Sequence, residues 1–398
     1  MDRKDYLIRH LERHNGVLRL KPAWVARDFL PPGKRLGLDE EMYDLGERGG
    51  ICERWLASTT LADNKIKIPG EGLSYCELGD DLSISLREAI EIIPGRILGD
   101  TYARSHKGLG RLAKIFDYDY RLPYHIHQMK YHASLVGQNP KEEAYYFPEG
   151  VDMGKEPESY LGVHPFISRE KKYDLFLRHL EEWNSDLILQ YSRAYKLIPD
   201  DGFHIPSGTL HAPGSALTIE LQEDSDVFAM LQAKVGGKII PKELLFKDIR
   251  KEDRDEYGEK IILKMIDWKT SGDPYFYENR HTPPLLKNEY DGQGAREYWI
   301  FYNTHSFSGT KLVLDPGMFV TMYDKGVYNL LAWKGSGTVG GLDFKGGEFD
   351  QDEALVCHHA AVGGVRVENT GNEPFVIFKF FGPSINTDVP MLPVYGDL

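Results

Sequence analysis

The sequence predicts a mainly β protein made of two β-barrels with helical insertions. In the C-terminal part, residues 298–381, short apolar runs such as 311–314 and 375–380 are separated by glycine pairs. Many short strands joined by regular turn signals are typical of an antiparallel sandwich or barrel. Strand-like runs also occur in the N-terminal part, at 112–116 and 143–147. A chain of 398 residues is long enough for two hydrophobic cores.

Three segments follow from these patterns. Residues 1–238 are predicted to form the N-terminal barrel with helical additions, 239–294 a linker of helix and loop, and 295–398 the C-terminal barrel. Helices are expected within 1–22 and 169–184, where apolar residues recur among charges, and within 85–98, which follows an N-cap residue and stops near Pro94-Gly95. The charged stretch 238–262 is also expected to be helical. The order of strands and turns in each half suggests a distant structural repeat.

Composition excludes several classes of partner. The net charge of −13 and the absence of a basic run argue against nucleic acid binding. The three cysteines, Cys52, Cys76 and Cys357, have no CxxC spacing, which favours a reducing compartment over a disulfide framework or a thiolate metal site. The first residues lack the apolar core of a signal peptide, and no apolar run reaches membrane-spanning length. We therefore expect a cytoplasmic protein without a membrane partner.

Two histidines separated by one residue, His125 and His127, are the first functional signal. On a strand both side chains face the same side, because strand side chains alternate with a period of two. A carboxylate from a neighbouring strand, Glu143, and a third imidazole, His211, would complete a site for one divalent metal. Zinc, iron, manganese or nickel would fit this donor set, with open positions for substrate oxygens.

Two further features bear on that hypothesis. The turn at Pro206-x-Gly208 fixes the backbone just ahead of His211, as a metal ligand requires. The alternative interpretation is that His125 and His127 are solvated strand histidines and that Glu143 is a surface charge.

The stretch from about residue 50 to 235 resembles the type I phosphomannose isomerase family of the cupin superfamily. The order and spacing of several motifs carry this resemblance: Glu53-x-Trp55, Gly99-Asp100, 112–117 leading into Leu122-x-x-His125-Ile126-His127, Lys141-x-Glu143, Ile205-Pro206-x-Gly208-Thr209-x-His211-Ala212, and Glu220-x-Gln222-x-x-Ser225-Asp226.

The resemblance implies two cupin-type jelly-roll barrels (a bicupin), one bound metal ion, most often zinc, and aldose–ketose isomerisation. Mannose 6-phosphate and fructose 6-phosphate, or a related sugar, are the substrates it implies. By the family pattern Lys141 lines the substrate site and Glu220 is an acidic residue near the metal. The metal ligands fall on His125, His127, Glu143 and His211.

The chain also departs from the family pattern. The first ligand is usually glutamine in the family and is His125 here. After Asp226 the family carries an arginine for catalysis or phosphate binding, whereas this chain has the apolar run 227–230. Bidentate recognition by arginine has no apolar substitute. The sequence therefore leaves open whether the substrate, a small sugar or sugar phosphate, is phosphorylated.

Lys141 and Glu220 are the predicted catalytic residues. Isomerisation needs a base that moves a proton between C1 and C2, and Lys141 could supply it if burial beside a cation lowers its pKa. Alternatively, Lys141 is a surface lysine paired with Glu142. Glu220 would orient a neighbour or carry a proton, or else face water.

Two other functions remain open on the sequence alone. One is a metal-dependent cupin oxygenase or decarboxylase, and the other is a sugar-binding cupin without catalytic activity. In the C-terminal barrel His358 and His359 are adjacent, and on a strand they would face opposite sides. That barrel is predicted to be metal-free and to serve packing or dimerisation, so a homodimer is an open expectation.

Overall fold

The computed structural model describes residues 3–79, 82–290 and 292–396. It is mainly β, as predicted, and all of its paired strands run antiparallel. The first fourteen strands, β1 to β14, are Val17–Lys21, Ala23–Arg27, Gly50–Leu56, Tyr75–Glu77, Ser83–Ser85, Arg111–Phe116, His125–Ile126, Glu143–Phe147, Glu158–Val163, Ser192–Lys196, Asp201–Ile205, His211–Ala212, Thr218–Glu223 and Ala229–Met230. The remaining strands, β15 to β26, are Lys234–Val235, Lys238–Ile239, Leu285–Tyr290, Ala295–Phe301, Ser308–Leu314, Phe319–Met322, Tyr328–Lys334, Ser336–Val339, Leu342–Lys345, Glu353–Val356, Val365–Asn369 and Phe375–Phe381.

The helices are short. In chain order α1 to α12 are Arg3–Arg13, Leu86–Ile92, Pro94–Leu98, Asp100–Ser105, Lys130–Leu135, Pro165–Arg169, Asp174–Glu182, Lys251–Tyr257, Lys260–Met265, Trp268–Ser271, Phe276–Arg280 and His358–Gly363. Short 3-10 helices occur at Glu40–Tyr43, Gly46–Arg48, Leu187–Tyr191 and Lys242–Leu245. No helix within the described ranges combines the length and the apolar character that crossing a membrane requires.

Several predicted helices have different bounds in the structure. Ser85 caps α2 as expected, accepting a hydrogen bond from the Glu88 amide at 3.1 Å, but Pro94 begins a separate helix, α3. Proline cannot donate the hydrogen bond that would continue α2, so the chain restarts there. The expectation of a strand at His358 and His359 is wrong, since both residues begin helix α12. Within the predicted linker, the structure has helices α8 to α11 and strand β17.

Two antiparallel sheets of the N-terminal half face each other. The six-stranded sheet has the order β11-β8-β13-β6-β3-β2, and the five-stranded sheet has the order β10-β9-β12-β7-β14. Apolar side chains from both sheets pack in the space between them, including Phe116 and Tyr145 from the first and Leu161 from the second. Side chains that point into this space are therefore shielded from water.

The six-stranded sheet is buried on its other face as well. Ala113, Ile115 and Tyr146 pack there against Leu331 and Phe378 of a nine-stranded sheet with the order β17-β18-β19-β26-β21-β24-β1-β4-β5. When both faces of a strand are covered, nearly all of its residues are buried, and this is observed for β6 and β8. Alternate residues of one strand thus serve two different cores.

Strands from both ends of the chain share the nine-stranded sheet. The N-terminal strand β1 pairs with β24 of the C-terminal part, with Val17 opposite Val356. A four-stranded sheet, β20-β25-β22-β23, completes the C-terminal part, and β15 and β16 form a two-stranded ribbon. The predicted boundaries at residues 238 and 294 stay a prediction, and the pairing of β1 shows that the first residues contribute to the C-terminal sheet.

A buried ion pair joins the six-stranded sheet to the nine-stranded sheet. The guanidinium of Arg54 on β3 donates to both carboxylate oxygens of Asp352, at 2.6 and 2.5 Å, and to Glu353 on β24 at 3.0 Å. All three side chains are almost fully shielded from solvent. Buried charges are tolerated only when they are paired, so removal of one partner is costly.

Replacement of Arg54 by methionine is expected to lower the free energy of unfolding by about 3–5 kcal/mol, because two buried carboxylates lose their counter-charge. Arg178→Met is the matched control, since Arg178 pairs with Glu182 at the surface. This control should change stability by no more than about 0.5 kcal/mol. Urea unfolding of both variants measures the difference, and equal losses would show that the buried pair does not join the two sheets.

Candidate metal centre

Four side chains converge between the two N-terminal sheets. His125, His127, Glu143 and His211 each place one candidate ligand atom within 4.8 Å of the others, and all four are buried. His125 on β7 lies directly opposite His211 on β12 in the five-stranded sheet. Glu143 reaches the same point from β8 of the facing sheet. The structure therefore brings together the four residues predicted from the sequence.

The three imidazoles are oriented by backbone carbonyl groups. Nδ1 of His125 donates to the Pro123 carbonyl at 2.6 Å, Nδ1 of His127 to that of Val227 at 2.7 Å, and Nδ1 of His211 to that of Thr209 at 2.8 Å. A carbonyl oxygen only accepts, so each ring carries its proton on Nδ1 and keeps a lone pair on Nε2. This is the arrangement in which histidine binds a metal through Nε2.

The lone pairs point at a carboxylate. Nε2 of His127 lies 2.9 Å from Oε2 of Glu143, and Nε2 of His211 lies 3.0 Å from Oε1 of the same group. Nε2 of His211 is buried and lacks a hydrogen bond, whereas Oε2 of Glu143 and Nε2 of His127 each lie 3.0 Å from the Lys141 ammonium. Acceptor atoms packed this closely repel one another unless a cation lies among them, so the donor set fits a divalent metal ion.

The protonation state of the rings suits the same role. Burial and the nearby Lys141 ammonium lower the pKa of His127 from 6.5 to about 3. Burial, together with the other two histidines, also holds the pKa of His125 well below its ordinary value. The pKa of Glu143 is lowered too, because Lys141 and the histidines outweigh the effect of burial. Neutral imidazoles and an ionised carboxylate are the ligand forms that metals require.

The turn before His211 connects two of the ligands. The amide of Gly208 donates to the carbonyl of His127 at 2.7 Å, and the Thr209 carbonyl accepts from the His211 ring. Gly208 has a φ of +82°, and a Cβ there would lie 2.9 Å from the Met129 side chain. Glycine is therefore required by both conformation and space, which accounts for the predicted role of this turn.

Lys141 lies inside the site and not at the surface. Its Nζ is 3.0 Å from Nε2 of His127, 3.0 Å from Oε2 of Glu143 and 3.4 Å from Oε1 of Glu220. The alternative pairing of Lys141 with Glu142 is wrong, because Glu142 binds His204 and Ser306 on the other side of the strand. Burial alone would lower the pKa of Lys141, but the two carboxylates raise it above its ordinary value.

Glu220 lies on β13, where the strand register sets Lys114 and Tyr145 beside it. Lys114 Nζ is 3.2 Å from Oε1 of Glu220. Burial and the charge of Glu143 raise the pKa of Glu220 from 4.5 to about 7, against the opposing effect of Lys114 and Lys141. A carboxyl group with this pKa exchanges its proton near neutral pH, as an acid–base catalyst must.

The pKa of Glu220 predicts a pH dependence of stability in the metal-free protein. Between pH 5 and 7 the folded chain retains a proton on Glu220 that the unfolded chain has released, so stability falls as the pH rises. Each pKa unit corresponds to about 1.4 kcal/mol of unfolding free energy. In Glu220→Gln, the loss of unfolding free energy between pH 5 and 7 should therefore be smaller than in the unchanged protein by about 2 kcal/mol. Urea unfolding of both proteins with a chelator at pH 5, 6 and 7 measures it, and parallel pH curves would contradict the assignment.

Several residues of the site were not predicted as functional. Tyr145 donates a hydrogen bond to Oε1 of Glu143, and Tyr118 donates to Glu53 at 2.5 Å. Arg27 forms ion pairs with Glu53 and Asp226. Tyr145 could have been found from the sequence, since it follows Lys141 and Glu143 at intervals of two and shares their face. Arg27 gives no such signal, because it comes from a strand far away in sequence.

The cleft beside these groups has a polar and an apolar wall. The polar wall includes three members of the cluster, His125, His127 and Glu143, together with Lys141, Glu220 and the ion pairs of Arg27. The apolar wall includes Phe29, Leu122, Phe228 and Met230. A cleft with an apolar wall and a few convergent polar groups is typical of a site for a small molecule.

Comparison with known proteins finds some that are similar in sequence and others that are similar in fold. No family model matches the chain. The chain is 33% identical to mannose-6-phosphate isomerase ManA of Bacillus subtilis over 193 residues, which cover 44% of this chain and 56% of ManA. It is 32% identical over 120 residues to GmuF, a probable mannose-6-phosphate isomerase of the same organism, with coverage of 29% of this chain and 34% of GmuF. The matches thus span about half of ManA and a third of GmuF.

Solved structures extend the likeness to most of the chain. The mannose 6-phosphate isomerase of Bacillus subtilis has a TM-score of 0.64 at 18% identity and covers 92% of this chain and 99% of its own. A mannosephosphate isomerase candidate from Archaeoglobus fulgidus has a TM-score of 0.61 at 15% identity, with 92% and 97% covered. A mannose 6-phosphate isomerase solved with zinc and yttrium has a TM-score of 0.61 at 12% identity, with 92% and 100% covered.

Fold and site together define a mainly β protein with a buried cluster of three histidines and one glutamate suited to a metal ion. The predicted resemblance to the phosphomannose isomerase family is confirmed. The likeness in sequence extends over 193 residues, and the likeness in fold covers 92% of the chain.

Proposed function

We propose that this protein is a metal-dependent aldose–ketose isomerase of the phosphomannose isomerase type, acting on a small sugar or sugar phosphate. The observation that carries the proposal is the convergence of three imidazoles and the Glu143 carboxylate at the base of a cleft that Lys141 and Glu220 also line. We further propose that the two N-terminal sheets form a cupin-type barrel around the cluster and that 295–398 form a second barrel without metal. Residues 239–294 would then link them.

His125, His127, Glu143 and His211 would hold one divalent ion, with zinc the first choice by resemblance and iron, manganese or nickel also compatible. The ion would supply Lewis acidity, polarising the sugar carbonyl and binding the adjacent hydroxyl. The carbonyl contacts at Nδ1 keep the three rings in one tautomer and one orientation. Tyr145 fixes the rotamer of Glu143 through its hydrogen bond.

Lys141 and Glu220 are the proposed acid–base pair. Lys141 Nζ lies 3.0 Å from a metal-ligand candidate, so it can reach a substrate carbon held beside that ligand. It would act as a base in its neutral form and move a proton between C1 and C2. Glu220, with a pKa of about 7, would exchange a proton with Lys141 across their 3.4 Å separation.

A second candidate function is a metal-dependent oxygenase or decarboxylase. The donor set favours it, since His125 gives three histidines and one glutamate where the phosphomannose isomerase pattern has a glutamine. An oxygenase consumes O2 and a decarboxylase releases CO2, whereas an isomerase does neither.

Metal analysis followed by a substrate panel tests the proposal. The purified protein, reconstituted separately with zinc, manganese, iron and nickel, is incubated with aldoses and ketoses, with and without phosphate, while oxygen is recorded. We expect interconversion of one aldose–ketose pair, without oxygen uptake and abolished by a chelator. Oxygen uptake without interconversion would establish the second candidate function. Tight sugar binding without any turnover would instead favour a non-catalytic sugar-binding protein.

A further inference from the structure

The positive charges in the cleft are already paired with carboxylates. Lys114 lies 3.2 Å from Glu220, and Lys141 lies 3.0 Å from Glu143. Glu143 and Glu220 are buried, so neither gains compensation from water. With a metal ion on Glu143, Lys114 and Lys141 would still lie 3.2 and 3.4 Å from Glu220. A phosphate dianion in this part of the cleft would have to displace Glu220 from these lysines, leaving a buried charge unpaired.

Among the described residues, Arg27 is the one arginine that lines the cleft, and its donors are also occupied. Its Nε and Nη2 donate to the two oxygens of Glu53 at 3.1 and 3.2 Å. Nη2 also reaches Asp226 at 3.3 Å, and Nη1 reaches Asn64 at 3.0 Å. Glu53 is held further by Tyr118. The guanidinium therefore has no free edge for bidentate recognition of a phosphate.

The outer part of the cleft offers little more. Lys247 lies 3.1 Å from Asp63 and 3.4 Å from Asp248, and Lys67 pairs with the same Asp63. Lys65 lines this region as an exposed side chain. A single exposed lysine is a hydrated point charge, which gives a weak and unspecific hold on a phosphate.

The stretch in which the family pattern places an arginine contributes apolar surface. Phe228 and Met230 alternate along 227–230 and both line the cleft. Met230 lies opposite His125 in the strand pairing, and Phe29 completes this wall. Apolar and aromatic side chains suit the C–H face of a sugar ring, and they provide no hydrogen bond to a phosphate.

We infer that the substrate of this site is a neutral aldose or ketose, without a phosphate group. The inference rests on the proposed isomerase function and specifies its substrate class. The sugar hydroxyls bind the polar wall, and the ring packs on Phe228 and Met230. A phosphate is rejected because each buried cation of the cleft is committed to a carboxylate.

The test compares kcat/KM for mannose, fructose and their 6-phosphates on the metal-loaded enzyme. The neutral sugars should be preferred by at least about tenfold, which corresponds to about 1.4 kcal/mol. A preference of that size for the 6-phosphates would overturn the inference while leaving the isomerase function in place. No conversion of these four compounds, or of any other aldose–ketose pair in the substrate panel, would overturn the isomerase function itself, and the inference with it.

Variants in the outer cleft test whether a lysine there binds the phosphate group of a substrate. Lys247→Met and its control Lys65→Met should change kcat/KM for the neutral and the phosphorylated sugar by the same factor, to within about twofold. A selective loss of at least about tenfold for the 6-phosphate in Lys247→Met would show that this lysine binds phosphate, and it would overturn the inference.

Discussion

Replacement of His211 by alanine is expected to reduce the proposed metal content from about one ion per chain to less than about a tenth of that, and to abolish the proposed isomerisation. His211 supplies one of four ligand atoms, and its Nε2 points at the carboxylate of Glu143 from 3.0 Å. Loss of a group that only orients a ligand already costs about 10–100-fold in metal affinity, so loss of a ligand should cost more. Elemental analysis after dialysis measures the metal content.

His164→Ala is the matched control for this variant. His164 is exposed and lies outside the cluster, so its removal should leave the metal content and the activity unchanged. Circular dichroism of both variants verifies the fold. A full equivalent of metal in folded His211→Ala would show that the ligand assignment is wrong.

Replacement of Lys141 by alanine is expected to spare the metal and to lower kcat by about 10²–10⁴-fold, the range associated with loss of a general base. The carboxylates of Glu143 and Glu220 hold the pKa of Lys141 above its ordinary value in the structure. A cation bound to Glu143 would offset the part of this effect that Glu143 supplies, which would favour the neutral amine. Single-turnover kinetics and elemental analysis on the same sample separate the two effects.

Lys141→Arg distinguishes proton transfer from simple charge. Arginine keeps the positive charge beside Glu143 and Glu220 but stays protonated under all working conditions. We expect it to be as inactive as Lys141→Ala while retaining the metal. Substantial activity in Lys141→Arg would mean that the lysine acts by charge alone, and wild-type activity in Lys141→Ala would exclude any catalytic role.

Parts of the histidine–glutamate cluster were predictable from the sequence because they depend on local spacing. His125 and His127 share a face through strand periodicity, and Gly208 marks the turn that orients His211. The same periodicity places Lys141, Glu143 and Tyr145 on one face of β8 and its approach. These relations depend on spacings of two or three residues, which a sequence shows directly.

The remaining features depend on contacts between distant segments. Arg27 meets Asp226 across 199 residues, and Arg54 meets Asp352 across 298. The pairing of β1 with β24 joins the two ends of the chain. No short-range pattern encodes such partners, so the Arg27 network and the ion pair between the sheets were not foreseen. The end of helix α2 before Pro94 agrees with the stop that the sequence predicts near Pro94-Gly95, because proline cannot continue a helix.

The most direct measurement of the central claim is a crystal structure of the metal-reconstituted protein with anomalous diffraction recorded at the metal absorption edge. We predict a single strong peak about 2.0–2.2 Å from Nε2 of His125, His127 and His211 and from a carboxylate oxygen of Glu143. A peak elsewhere in the chain, or no peak after reconstitution with zinc and manganese, would contradict the account.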